Sequence, residues 1–300
     1  MNSELITHRD PKSPISEVFK TLRTNLQFMK HKGDSTTLLV TSTMPGEGKT
    51  WVTSNLGIAF AQSDKKVVII DSDMRKGRLH NVFDTKIFPG LSNYLAEDKK
   101  SIKDYLIKTE MENLWIIPAG NVPPNPSELL STERMLQGLE ELKRSFDVIL
   151  FDSTPCMLVT DAVIISRIVD ATMIVSSHKL TKMENLKTVQ KNIENVGGKI
   201  AGVIINRIPV SLKRYKSKYY YYGERSKIEE TSQEDNSSRI HQEEVTYVED
   251  NNYGQTVDIK EEIVGEKQES SNQTKRQKTK KKQEQDEIME QIDQYLDDNK

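Results

Sequence analysis

Gly46, Gly48, Lys49 and Thr50 fall within one stretch, Thr41-Ser42-Thr43-Met44-Pro45-Gly46-Glu47-Gly48-Lys49-Thr50, and their types and order suit the holding of an anion. Glycines let the backbone curl until successive amides point inward, and a helix that begins there turns its positive end to the same anion. In such a phosphate-binding loop Pro45, Gly46, Glu47, Gly48, Lys49 and Thr50 form the cradle for a nucleotide. Lys49 reaches the β- and γ-phosphates, and the Thr50 hydroxyl ligates Mg²⁺. The usual loop opens with a glycine at the place Thr43 holds here. Taken alone, the stretch also reads as an ordinary glycine-rich turn.

Two further places offer carboxylates. Asp71 and Asp73 follow the apolar run Lys66 to Ile70, and Asp152 follows Asp147 to Phe151. Two carboxylates spaced i and i+2 at a strand end can divide labour, one holding the metal shell and the other accepting a hydroxyl proton. A capping or turn pair is the alternative for Asp71 and Asp73. Asp152 is the second element of a nucleotide site, holding Mg²⁺ directly or through water.

These residues need elements to carry them. Almost purely apolar runs such as Val67 to Ile70 read as buried parallel strands, whose carboxyl ends are where open α/β sheets bind ligands. Leu38 to Val40 before the loop and Val52 to Ala61 after it supply strand, loop and helix. Leu114 to Ile117, Asp147 to Phe151, Ala171 to Ser176 and Lys199 to Ile205 read as further strands, and Asp161 to Val169 and Thr181 to Val196 as helices. Residues 76 to 112 read as loops and short helices, with a helical turn at Leu91 to Ala96. Pro118 to Leu130 reads as a stiff connector that enters a helix capped near Ser127. The alternation predicts an α/β fold, a doubly wound and mostly parallel sheet with helices on both faces.

Ahead of this core, residues 1 to 15 read as a lead-in arm. Ser16 is the expected cap of a helix whose Val18, Phe19, Leu22, Leu26 and Met29 recur at helical spacing. Glu17, Lys20 and Arg23 fall three apart on its polar side, as a solvated stripe or a self-association surface. The domain that carries the phosphate loop is expected over 16–210 and a tyrosine cluster over 211–223. There Tyr219, Tyr220, Tyr221 and Tyr222 stand in succession, and eight of the chain's ten tyrosines lie beyond position 210. A packed strand would put two of four adjacent tyrosines in water, so a sticky segment or an edge strand is the structural alternative.

The 300 residues carry a formal net charge of −2, which conceals an asymmetry. From Glu224 to Lys300 there are 21 acidic and 12 basic residues, a net −9 that leaves +7 on residues 1 to 223. A basic folded part suits an anionic ligand. The hydrophobic share of 35% and aromatic share of 6% are thin for a fully packed chain, and 224–300, rich in Glu, Gln, Ser, Asn and Lys, is the part expected to be disordered. Within it Lys275 to Lys282 is a basic run, read as solvated, with contact to anionic lipid or nucleic acid as the alternative. Ile288, Met289, Ile292, Tyr295 and Leu296 give an amphipathic pattern over 285–298. The single cysteine, Cys156, excludes an internal disulfide. No apolar run reaches the roughly 20 residues of a membrane span, and the expected location is cytoplasmic.

Together the loop, the Asp71-Ser72-Asp73-Met74-Arg75 strand end, Pro118 to Leu130, Asp147 to Pro155 and the tyrosine cluster resemble the bacterial tyrosine kinases of the polysaccharide co-polymerase system, in the form where the kinase is a separate cytosolic chain. The resemblance covers roughly residues 10 to 223. It implies use of ATP with Mg²⁺ to phosphorylate the chain's own tyrosine cluster, Tyr219 to Tyr222, in a neighbouring subunit of a ring. It implies that Lys49 and Thr50 grip phosphate and metal, that Asp73 and Asp152 complete the metal shell, and that Asp71 takes the tyrosine proton. Glu17, Lys20 and Arg23 occupy the places of the family's Glu-x-x-Arg-x-x-Arg ring contact, with lysine replacing the first arginine's planar fork. The implied partners are a membrane-embedded adaptor that activates the kinase at the inner face of the plasma membrane and a tyrosine phosphatase. The implied role is in capsule or exopolysaccharide biosynthesis. The family's chains usually stop soon after their tyrosines, whereas this one continues to Lys300. Two rivals share the fold: a septum-positioning or partition ATPase, which places a lysine where Met44 stands, and a nucleotide-bound scaffold.

Overall fold

A computed structural model of the chain describes residues 4–29, 35–97 and 100–209. The chain divides into two units, Met1–Ser232 and Gln233–Lys300, and all described residues belong to the first. The tyrosine cluster, the acidic tail and its amphipathic pattern lie outside the described residues.

Among the described residues seven strands form one sheet: β1 (Thr36–Ser42), β2 (Val67–Asp71), β3 (Ile107–Lys108), β4 (Leu114–Ile117), β5 (Val148–Pro155), β6 (Ala171–Ser177) and β7 (Ile200–Asn206). Their order is β3-β4-β2-β5-β1-β6-β7, and every pairing is parallel except β3 with β4. The expected doubly wound, mostly parallel sheet is therefore the observed one, and β3 is an antiparallel edge added to it.

Alternation along the strands builds two cores. Leu38, Val40, Val67, Ile69, Val148 and Leu150 face one side, where they pack with the helices α1 (Ile6–Arg9), α2 (Pro14–Gln27), α3 (Lys49–Ala61) and α4 (Leu79–Val82). Leu39, Val68, Ile70, Ile149, Phe151 and Ile174 face the other. They pack with α5 (Leu91–Ala96), α6 (Pro126–Leu130), α7 (Glu133–Lys143), α8 (Asp161–Ser166) and α9 (Met183–Asn195). Helix α3 is apolar on nearly all sides, as a helix enclosed by the sheet and α2 must be. α2 lies over it, with Phe19 buried and its ring edge-on to Trp51 at 5.2 Å between centroids.

The N-terminal segment departs from its expected shape. Ser13, not Ser16, caps α2: its hydroxyl accepts from the Ser16 N–H at 3.2 Å, and Pro14 sits at the first helical position. Ser16 is buried and donates to the Asp10 carbonyl. The expected arm includes α1, and it is tied to α3: Thr7 N–H donates to Asn55 Oδ1 and Gln62 Nε2 to the Thr7 carbonyl. Val18, although on the apolar spacing, is exposed. Further along, α6 is flanked by Asn125 rather than capped by Ser127, whose hydroxyl is used elsewhere. α7 adds a helix on Met135, Leu139 and Leu142 that the expected elements did not include.

Candidate active site

β1 lies between β5 and β6, and the chain leaves it toward β2 on one side while β6 and β7 extend the sheet on the other. The crevice beyond the carboxyl ends of the strands, where the order reverses, is where doubly wound sheets bind ligands. The loop from Thr43 to Thr50 stands there. Gly46 and Gly48 have φ of +80° and +100°, values that residues with a Cβ rarely adopt, and Gly48 is the residue from which α3 starts. A Cβ on Gly48 would lie 2.2 Å from Asn206 Nδ2.

Thr43 and Glu47 explain each other. The Glu47 carboxylate is buried and turned back on its own loop: it accepts from Thr43 N–H at 2.7 Å, Met44 N–H at 2.9 Å and the Thr43 hydroxyl at 2.9 Å. The Thr181 hydroxyl, from the turn after β6, also donates to it. Asn206, ending β7, donates to the Glu47 carbonyl at 2.9 Å. Glu47 was expected among the cradle residues. Its backbone belongs to the cradle, while its side chain braces the loop against the ends of β6 and β7. The threonine in the glycine's place supplies two donors to that brace.

Lys49 and the three aspartates converge opposite the loop. Lys49 Nζ is 3.5 Å from Asp73 Oδ2, and both side chains are largely buried. Asp71 and Asp152 are neighbours across β2 and β5. Asp152 takes hydrogen bonds from the Thr50 and Thr53 hydroxyls. Burial pushes its carboxyl up to about 6 against the pull of Lys49 and Thr50. Asp71 is fully enclosed; its oxygens accept from Asp73 N–H at 3.2 Å and Leu79 N–H at 3.0 Å. Burial first, and the Asp152 charge second, raise its proton affinity well above the ordinary carboxylate range. Asp73 also accepts from Lys76 N–H, so the loop after β2 is closed by its own carboxylates.

Thr50, Asp73 and Asp152 offer hard oxygen donors beside a cluster of negative charge that Lys49 offsets in part. Those donors fit Mg²⁺. Among the described residues no three His, Cys, Asp or Glu side chains are grouped to hold a metal unaided. That is ordinary for Mg²⁺, which is held by one or two carboxylates with waters and substrate phosphates.

The expected ring residues lie along α2 and make contacts of their own. Glu17 and Lys20 form an i,i+3 ion pair at 2.6 Å, Lys20 also donates to the Pro11 carbonyl, and Arg23 Nη1 donates to Ala59 O at the end of α3. Three residues that were not among the expected site residues stand beside the Asp73 loop, hydrogen-bonded together: Arg75, Ser127 and Asp161. Asp161, the lone charge opening the apolar helix Asp161-Ala162-Val163-Ile164-Ile165-Ser166, was the signal that a cation must reach it.

A parallel sheet with a phosphate loop at its switch point and aspartates on the adjoining strand ends defines a P-loop nucleotide-binding protein. The family model described as an AAA domain matches residues 36–204. The tyrosine-protein kinase YwqD of Bacillus subtilis is 33% identical over 223 residues, covering 74% of this chain and 92% of YwqD. The kinase domain of the Escherichia coli tyrosine kinase ETK superposes with a TM-score of 0.66 at 33% identity, over 71% of this chain and 83% of that one. The septum site-determining protein MinD of Pyrococcus horikoshii matches less well, with a TM-score of 0.51 at 26% identity over 59% of this chain and 72% of that one. The chain belongs to the bacterial tyrosine kinases, and the partition-type ATPases are its more distant relatives in fold.

Proposed function

We propose that this site transfers the γ-phosphoryl group of ATP to Tyr219, Tyr220, Tyr221 and Tyr222 of a second copy of the chain, and that this reaction regulates capsule or exopolysaccharide synthesis. The observation that carries the reading is the convergence of Lys49, Asp71, Asp73 and Asp152 on one phosphate loop, in a chain whose last described strand ends at Asn206, shortly before four successive tyrosines.

The loop amides and Lys49 hold the phosphates, with Lys49 exchanging Asp73 for phosphate oxygen as the nucleotide enters. Thr50, Asp73 and Asp152 would hold Mg²⁺, whose contribution is to neutralise charge on the phosphate oxygens. In the transfer the tyrosine oxygen forms a bond to the γ-phosphorus, the bond from that phosphorus to the β–γ bridging oxygen breaks, ADP departs, and the tyrosine proton passes to Asp71. Asp71 stands at the strand end beside Asp152, the place an acceptor must occupy. Its enclosure means that the Leu79 N–H must release it first. Positioning and charge neutralisation carry most of the rate, because the transition state is loose.

Glu17 and Lys20 keep part of their surface exposed and remain available for the ring contact. No helix among the described residues is long and apolar enough to cross a membrane. Recruitment from the cytoplasm by a membrane-embedded adaptor, and reversal by a tyrosine phosphatase, complete the proposal. Incubation of the purified chain with MgATP, with and without an adaptor's cytosolic peptide, tests it. The wild type is expected to gain phosphotyrosine and Lys49→Met to lose it by a factor of about a hundred or more. Free phosphate released at the same rate with no phosphotyrosine would place the chain with the partition-type ATPases.

A further inference from the structure

Asp161 is fully buried, and two side chains reach it, one from the loop after β2 and one from α6. Arg75 approaches side-on, with Nε 3.0 Å from Oδ2 and Nη2 3.3 Å from Oδ1. The Ser127 hydroxyl, from α6, donates to the same carboxylate, and Arg75 Nη2 lies 3.2 Å from Ser127 Oγ. A paired, planar two-donor contact fixes direction as well as distance, and a buried carboxylate that lost its cation would carry an uncompensated charge.

The placement gives the contact its consequence. Arg75 is two residues beyond Asp73, on the loop that the Asp71 and Asp73 carboxylates close by accepting from backbone N–H groups. Asp161 opens α8, the first helix after β5, the strand that carries Asp152. Ser72 already ties the start of the loop to the Asp152 carbonyl, at 2.8 Å from both its N–H and its hydroxyl. Arg75 adds a second tie beyond Asp73. With both ends held, the Asp73 carboxylate is kept on the side of Lys49 and Thr50.

We propose that Arg75, held by Asp161 and Ser127, is a positioning residue that sets the Asp73 carboxylate for Mg²⁺ bound with the nucleotide. Arg75 itself touches neither the nucleotide nor the metal in this role. The inference rests on the phosphoryl-transfer reading for its purpose, but its test does not need turnover.

Binding of a fluorescent ADP analogue is titrated with Mg²⁺, and measured separately in EDTA, for the full-length wild type, Arg75→Gln, Arg75→Lys, Asp161→Asn and Ser127→Ala. Groups that orient metal ligands typically change metal affinity by about tenfold to a hundredfold. Arg75→Gln is expected to raise the Mg²⁺ concentration for half-saturation by about tenfold or more, with the affinity in EDTA within about twofold of wild type. Arg75→Lys, which keeps charge without the fork, is expected to fall between the two. Asp161→Asn removes a buried charge and could unfold the chain, so the partly exposed Arg75 variants carry the test. An unchanged Mg²⁺ midpoint in Arg75→Gln, or an equal loss of affinity in EDTA, would overturn the assignment. A wild type that makes no phosphotyrosine while Arg75→Gln still shifts the Mg²⁺ midpoint would sink the transfer reading and leave the positioning role standing.

Discussion

Asp152 shows how a residue can be needed by the site and costly to the fold. It is buried in the sheet, its carboxyl is raised from 3.8 to about 6, and Lys49 relieves it only in part. In metal-free buffer the folded chain holds a proton here over a window, about pH 4 to 6, in which the unfolded chain has released it. Stability from this group therefore falls as pH rises through that window, and the full cost is present above about 6. The difference amounts to roughly 3 kcal/mol at most. Asp152→Asn is expected to raise the melting temperature of the metal-free chain by several degrees near pH 8, by much less near pH 4.5, and to abolish phosphotyrosine formation. Equal gains at both pH values, read by calorimetry in EDTA, would show that the burial of charge is not the cause. Residues of this kind were legible in the sequence: Lys49, Thr50, Asp71, Asp73 and Asp152 all stand at the mouth of one crevice. Arg75, Ser127 and Asn206 were not, because each acts through a partner distant in the chain, Asp161 for the first two and Glu47 for the third, at no fixed spacing.

Among the elements, the loop between β1 and α3 has the least freedom. Gly48 combines a left-handed φ with Asn206 pressed against the place of its missing Cβ. Gly48→Ala is expected to weaken ADP binding by at least about tenfold, because the strain of roughly 1–2 kcal/mol and the displacement of Asn206 both distort the cradle. Fluorescence titration measures it, and affinity within a factor of two of wild type would contradict the close packing of β7 on the loop. The pairing of α2 with α3 is a separate matter of burial. Phe19→Ala removes a ring that is 4% exposed and edge-on to Trp51, and is expected to cost about 3–5 kcal/mol, a fall in melting temperature on the order of 10 °C. A fall of only a degree or two would mean that α2 is loosely docked. Strands β2, β4 and β6 were readable because buried parallel strands are largely apolar runs, and β7 is an apolar run too although it is a partly exposed edge strand. β3 was not, since two residues make no pattern, and the start of α2 was misplaced because Ser13 and Ser16 both precede acceptable first turns. The true cap is the one that lets Pro14 take the first helical position.

Across the whole molecule, a phosphate loop, a braced carboxylate cluster and a tyrosine cluster belong to one chain, and the account makes the last the acceptor for the first. The parallel sheet places Asp71 and Asp152 side by side and brings Asn206, at the end of the last described strand, against the loop. The sheet order that achieves this could be expected from alternating strands and helices; the interlocking of Glu47 with Thr181 and Asn206 could not, because it depends on which strand ends meet. The most direct measurement is mass spectrometry of the full chain after incubation with MgATP, mapping phosphate residue by residue, with Lys49→Met mixed in as an acceptor that cannot phosphorylate itself. The account predicts phosphate on Tyr219 to Tyr222, including on the Lys49→Met chains in the mixture. Release of free phosphate with no phosphate on those tyrosines would contradict it.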